Sequence, residues 1–281
     1  DALTDADHNV AIGYQALTSD TLGSRSVAIG QGALETQNFT TATDAYNVGV
    51  GFHAGTSITT GTSNTFIGGV VGDLCTTGSS NTAVGTSAMT SATITGNDNT
   101  ALGVAAMAAI SSGSNNTAVG HDAGRSGSPG GNITTGSNQI ALGDENVSSA
   151  FVQVDWTISS DERDKTDFAD LGLGLDFVKA LEPVTYYWDK RSKYGDKHAD
   201  DYDLNAQTPD GTHKEDWMDV GFKAQSVQAL EEAAGYKLSD KKNLTVSSVE
   251  DGKQMGLQYS KFVPILVKAV QELSAQVTAL Q

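Results

Sequence analysis

Asn81-Thr82-Ala83-Val84-Gly85, Asn99-Thr100-Ala101-Leu102-Gly103 and Asn116-Thr117-Ala118-Val119-Gly120 are copies of one pentapeptide in the first half of a 281-residue chain. Five variants close at Gly13, Gly30, Gly51, Gly68 and Gly143, so successive closing glycines are 17, 21, 17, 17, 18, 17 and 23 residues apart. A repeat this short cannot bury a core alone and must stack on its neighbours. Each unit reads as a turn, a short strand, a glycine bend and a second short strand. A small residue follows three places after most of the glycines: Ala16, Ala33, Ala54, Ala88, Ala106 and Ala123. Ala83 and Val84 face opposite ways, as the period of two in a strand demands. The Asn at one corner of each coil is placed to stack into a ladder that satisfies its neighbours' backbone groups.

Large side chains are too sparse to fill a wide coil, which points to several chains around one axis. The longer spacers, residues 18–25, 35–46 and 124–135, read as surface loops and as the candidate receptor contacts. Composition changes near residue 150. Before it Gly, Ala, Ser, Thr and Asn dominate; after it come Trp156, Trp188, Trp217 and most of the Lys and Glu. Two domains are expected, 1–150 and 151–281. A formal net charge of -17 disfavours binding to nucleic acid or to an anionic membrane surface. The single Cys75 excludes an intrachain disulfide framework, and no Cys/His spacing suits zinc, so no metal and no cofactor is expected. No apolar run reaches the roughly 18 residues of a membrane span. Asp1 in place of Met implies a fragment or processed product, attached to a larger particle by an upstream region.

The second half opens on a period-two alternation, Phe151 to Trp156, and then a charged box, Ser159-Ser160-Asp161-Glu162-Arg163-Asp164-Lys165. Residues 171–181 read as a helix stopped by Pro183, and 184–188 as a strand. An acidic, polar insertion spans 189–216. A second strand then turns into a helix ending near Gly235, and a hairpin turning at Asp251-Gly252 leads into a last helix. In that helix Tyr259, Val263, Leu266, Val270, Leu273, Val277 and Leu280 follow a 4-3-4-3 spacing, a coiled-coil seam. Valine at a with leucine at d leans towards dimers, whereas Val267 and Ala269 widen the seam for three helices.

The pentapeptides resemble the repeats of trimeric autotransporter adhesin heads and of many phage tail fibres. The second half resembles the endosialidase-type intramolecular chaperone, a self-cleaving peptidase family at the ends of phage tailspikes and fibres. That resemblance rests on four motifs in order: Ser160 to Lys165, Leu181 to Trp188, Gly221 to Gln225 and Tyr259 to Leu266. It covers residues 157–281. It implies a mainly β, trimeric β-roll or β-helix stalk followed by an α+β chaperone domain ending in a trimeric coiled coil. It also implies a Ser/Lys dyad, with Ser160 as nucleophile, Lys165 as general base, and the cut between Ser159 and Ser160. A serine hydroxyl is a poor nucleophile, and a lysine of ordinary pKa about 10.4 must be desolvated or placed near cations to act as a base. Arg163 is the candidate supporting cation, while Asp161 and Asp164 oppose it. On a continuous helix, positions five apart point about 140 degrees away from each other, so the pair needs a loop or a second subunit. Where the family often carries an aliphatic residue, this chain has Thr166, Asp167 and Phe168.

The resulting expectation is the distal part of a virion tail fibre or tailspike, assembled in the host cytoplasm as a homotrimer. Its partners would be an upstream attachment region and a host-surface receptor, either a glycan or an outer-surface protein. The rival is a bacterial trimeric adhesin-like protein with a non-cleaving clamp. A glycan-degrading tailspike would require paired carboxylates and aromatics that the repeats lack. A membrane-tethered transcription factor with the same domain would need an upstream DNA-binding module. Asp201, Asp203 and Asn205 imitate a calcium loop without its glycine, since Ala206 stands there. His53 and His121 read as surface histidines, and Gly172-Leu173-Gly174 as a turn that opens a helix.

Overall fold

The computed structural model of the chain describes residues 6–90, 92–197, 199, 201–248 and 252–281. These divide into two compact units: Asp1–Ser148 with Arg191–Thr208, and Ser149–Lys190 with Pro209–Gln281.

In the first unit the pentapeptides and the first two spacers supply β1 (Val10–Ile12), β2 (Gly23–Ser24), β3 (Val27–Ile29), β4 (Thr43–Asp44), β5 (Val48–Val50), β6 (Thr65–Ile67), β7 (Thr82–Val84), β8 (Thr100–Leu102), β9 (Thr117–Val119) and β10 (Ile140–Leu142). One strand per coil pairs with the next, in parallel, to build an 8-stranded sheet ordered β1-β3-β5-β6-β7-β8-β9-β10. This is a β-solenoid. The register aligns the middle residues Ala28, Gly49, Phe66, Ala83, Ala101, Ala118 and Ala141, and all of them are buried. The flanking aliphatics stand on the outer face, with Ile12 58%, Ile67 41%, Leu102 48% and Leu142 54% exposed.

The corner asparagines carry the stack. Asn47, Asn64, Asn81, Asn99 and Asn116 are fully buried. The Asn81 Oδ1 accepts the Asn99 backbone N–H at 3.0 Å, and its Nδ2 donates to the Gly96 carbonyl at 2.9 Å. The same pair of bonds recurs at Asn64 and Asn99. A backbone turn inside the coil thereby keeps its polar groups satisfied out of water. Ser26 breaks the series, and Gln37 from the longer spacer fills the gap. Its Nε2 donates to Ser26 Oγ at 3.1 Å, and its Oε1 accepts from Asn47 Nδ2 at 2.8 Å. The closing glycines are equally constrained: Gly68 has φ 143, and a Cβ there would lie 2.7 Å from the Gly85 carbonyl oxygen of the next coil.

Two expectations change. In most coils a hydrogen-bonded turn replaces the second strand, because residues such as Leu34, Met89 and Met107 take positive φ (51, 55 and 51) and leave the extended region. Coil-to-coil bonds persist there: Leu34 N–H donates to Ala54 O, and Met107 N–H to Ala123 O. The coil is also narrow rather than wide. Leu34, Ile58, Phe66, Met89, Ile94, Met107 and Ile110 fill it, so a single chain has a core of its own. Phe66 stands where other coils hold Ala or Gly, and Gly55 and Gly72 make room: a Cβ at Gly72 would lie 2.6 Å from the Phe66 ring, and one at Gly55 2.8 Å from it.

The first two long spacers pair through β2 and β4, with Arg25 Nε 2.8 Å from Asp44 Oδ1 and its guanidinium over Tyr46. The third lies against residues 191–208, part of the insertion that the sequence reading places in the second half; a Cβ at Gly127 would meet Ser192 Cβ at 2.8 Å.

The second unit contains α1 (Leu175–Ala180), β11 (Val184–Tyr187), β12 (Met218–Gly221), α2 (Ala224–Ala233), β13 (Val246–Ser248), β14 (Met255–Leu257) and α3 (Phe262–Ala279). β11 pairs antiparallel with β12, and β13 with β14; Asp251, in the expected hairpin turn, lies outside the described residues. α1 begins only after Gly174, where Glu272 of α3 accepts the Leu175 N–H at 2.7 Å. Leu173, Phe177, Val227, Val246, Phe262 and Ile265 form the core. The buried Glu231 carboxylate accepts the Leu244 and Thr245 N–H groups at 3.1 and 2.7 Å, fixing the entry to β13. Among the described residues no helix is long and apolar enough to cross a membrane.

Two outcomes follow from the coil. Asn81→Ala strands the buried Asn99 N–H and Gly96 carbonyl, and thermal or denaturant unfolding should register a loss of about 3 kcal/mol. Cys75 is fully buried, and burial pushes its thiol up to about 12. At pH 8.5 the native protein should resist alkylation at Cys75, and the denaturant-unfolded chain should react fully, as read by intact mass.

Candidate functional site

The charged box folds by a local device. The Asp161 side chain caps a 3-10 turn at Glu162–Asp164 by accepting the Arg163 N–H at 2.9 Å. Lys165 leaves that turn in extended conformation, with φ -125 and ψ 151. The reversal returns its side chain to the start of the box: Lys165 Nζ lies 2.5 Å from Ser160 Oγ and 3.0 Å from the Ser160 carbonyl oxygen. The pair that a continuous helix would separate therefore meets within one chain, across a single short turn.

Arg163 sits differently from its expected place beside the lysine. Its Nη2 is 2.6 Å and its Nε 3.0 Å from the Asp161 carboxylate. The paired hydrogen bonds raise the guanidinium pKa and hold the Asp161 carboxyl below its ordinary range. Asp161 is thus engaged by Arg163. Solvent reaches all of this: residues 146–170 are exposed throughout, including Ser159, Ser160 and Lys165. Phe151 is 94% exposed, Val154 75%, Trp156 77% and Ile158 71%. The alternation that begins at Phe151 forms no ladder among the described residues, so its apolar face stands uncovered in one chain.

The other motifs lie at junctions between elements. Pro183 separates α1 from β11. Tyr186 and Trp188 meet edge to face at 5.2 Å, and both donate to Asp219 Oδ2, at 3.2 and 3.3 Å. Burial, reinforced by Asp219, pushes Tyr186 up to about 12. Gly221-Phe222 turns β12 into α2, and the Tyr259 hydroxyl accepts the Phe222 N–H at 3.3 Å. Tyr259–Lys261 forms the turn into α3.

Residues 160–236 match the family model for the chaperone of endosialidase. The match starts at Ser160 and stops after α2, so the β13-β14 hairpin and α3 lie beyond it. A chaperone-of-endosialidase domain behind a β-solenoid is the arrangement of a phage tail fibre with a C-terminal chaperone domain. A domain of that family suggests homotrimer assembly and a virion component. No curated protein and no solved structure matches the chain.

α3 presents two faces that agree with assembly. Phe262, Ile265 and Ala269 are buried in the domain core. The seam residues Val263, Leu266, Val270, Leu273, Val277 and Leu280 are 60%, 47%, 64%, 48%, 50% and 88% exposed. An apolar stripe of this size on a monomer's surface calls for a partner.

One cluster escaped the sequence reading. His121 lies 3.5 Å from both Asp122 and Asp144, and the ammonium of Lys197, on the 191–208 segment, lies among the same carboxylates. Nothing local marks Lys197 in an acidic stretch, because its partners are 52 to 75 residues away in the chain. Asn205, from the rejected calcium-like series, accepts from Arg191 Nη1 at 2.7 Å, and Asp203 caps the turn Leu204–Ala206.

Proposed function

We propose that the chain is the distal part of a phage tail fibre or tailspike whose chaperone domain registers three copies, then cuts its own chain between Ser159 and Ser160. The observation that carries this reading is the 2.5 Å approach of Lys165 Nζ to Ser160 Oγ at the first residue of the family match.

The chemistry requires a neutral lysine. Lys165 would accept the hydroxyl proton as Ser160 Oγ attacks the Ser159 carbonyl carbon. The Ser159–Ser160 C–N bond breaks, the amide nitrogen leaves as an amine with the returned proton, and an ester joins the Ser159 acyl group to Oγ. Water then hydrolyses the ester, leaving a carboxylate at Ser159 and a free amino group at Ser160. Burial is what favours the neutral amine, and the exposed site of one chain lacks it. Three copies supply it: the uncovered Phe151, Val154, Trp156 and Ile158 are the apolar material for a lid, and the seams of three α3 helices bring the copies together as a coiled coil. Arg163, anchored by Asp161, supports the turn more than the base. Cutting after the slow, non-local solenoid has formed removes the route back and makes the stalk kinetically stable. Assembly takes place in the host cytoplasm. The mature stalk adheres to a host-surface glycan or protein through the ledge of the spacers at 18–25 and 35–46, while an upstream region holds the virion.

The rival is a trimeric adhesin-like surface protein with a permanent clamp, and the full exposure of the Ser160/Lys165 pair favours it. Intact mass after assembly separates the two. The parent should give two fragments meeting at Ser159/Ser160, while Ser160→Ala and Lys165→Met give one chain. An intact, trimeric parent would establish the clamp and remove the peptidase. Replacing Val270 and Leu273 with lysine should yield a monomer by light scattering, uncut even with the dyad present, because both side chains are exposed in the single chain and serve only the seam.

A further inference from the structure

The last coil of the solenoid holds three buried carboxylates side by side. Asp122 is 1%, Asp144 6% and Glu145 7% exposed. Lys197 enters among them, with Nζ 3.0 Å from Asp122 Oδ2, 2.6 Å from Glu145 Oε1 and 3.9 Å from Asp144 Oδ2. Arg125 is 3.3 Å from Asp122 Oδ1, and His121 is 3.5 Å from Asp122 and from Asp144. Among the described residues, three carboxylates thus face two permanent cations and one histidine. Burial alone would favour the neutral amine at Lys197, but its hydrogen bonds to Glu145 and Asp122 outweigh that and raise its pKa. Lys193 adds a bond to Asn146 beside the cluster.

Lys197 is not part of the solenoid's own sequence. It lies on Arg191–Thr208, which clusters with the first unit although both of its ends continue into the second, at Lys190 and Pro209. It also lies downstream of the Ser159–Ser160 bond. We infer that Arg191–Thr208 is a charge-held clasp: seated in the Asp122, Asp144 and Glu145 nest, it keeps the C-terminal fragment on the stalk after the chain is cut. The inference rests on the cleavage reading for its setting but not for its test. A buried carboxylate nest holds one ammonium tightly because removing the cation leaves uncompensated charge out of water. Severing one backbone bond would then not release the fragment, and departure would require the clasp to open.

The test uses the full chain carrying Ser160→Ala and an inserted site for a specific protease within residues 150–158, so that an external enzyme makes the cut. After digestion, size-exclusion chromatography and native mass spectrometry follow the two fragments. They should remain together in the parent. With Lys197→Met they should separate on the order of 100-fold faster, while Lys197→Arg, which keeps the charge, retains the fragment. Glu145→Gln, which removes one carboxylate without removing the cation, should give an intermediate rate. Circular dichroism of each uncut variant establishes that the solenoid is folded. Fragments that part at once in the parent, or that stay together equally well with Lys197→Met, overturn the clasp. Neither result bears on self-cleavage, which the Ser160→Ala comparison of intact masses reads separately.

Discussion

A buried polar turn must find its hydrogen bonds inside the coil, and in the solenoid one side chain per repeat meets that demand. The Asn amide both accepts from and donates to the corner of the next coil, so each rung is complete only when its neighbour is present. That reciprocity makes stacking cooperative from end to end. It also explains why the inward strand position can shrink to Ala or Gly: polar closure at the corner, rather than bulk at the strand, sets the spacing. The strand aliphatics are then free to face outwards.

Much of the solenoid was legible because its constraint is periodic. The pentapeptide located each strand, its middle residue and the glycine whose Cβ would strike the next coil. Phe66 was legible in principle as well, since its bulk is matched by glycines at 55 and 72. The second pass of each coil was not, because small residues three places after a glycine suit a strand and a left-handed turn equally well. Only tertiary context selects the positive φ of Leu34 or Met89. The same limit applied to coil width, since sparse large residues suffice once the cross-section is small.

In the second unit, the helices and hairpins followed from local signals: Pro183 as a stop, Gly235 after α2 and the apolar periodicity of α3. The approach of Ser160 to Lys165 was left open by spacing alone. The deciding residue was Asp161, which both caps the turn and engages Arg163. Contacts carried by single charges at long range, such as Lys197 with Asp122, leave no pattern in one sequence. They are fixed by where two stretches distant in the sequence come to rest.

The bonds that join one coil to the next run along the stack, as the backbone bonds from Val48 N–H to Asn64 O and from Thr65 N–H to Asn81 O do. Tension applied between the ends of such a column is borne in series, one ladder after another, so its mechanical strength is that of its weakest rung and does not grow with the number of coils. In this chain the irregular rung is the one at Ser26, held through Gln37 and the Asp20 carboxylate rather than by a direct Asn pair. There the side-chain link between neighbouring coils passes through one extra residue, while the backbone bond from Val27 N–H to Asn47 O is kept.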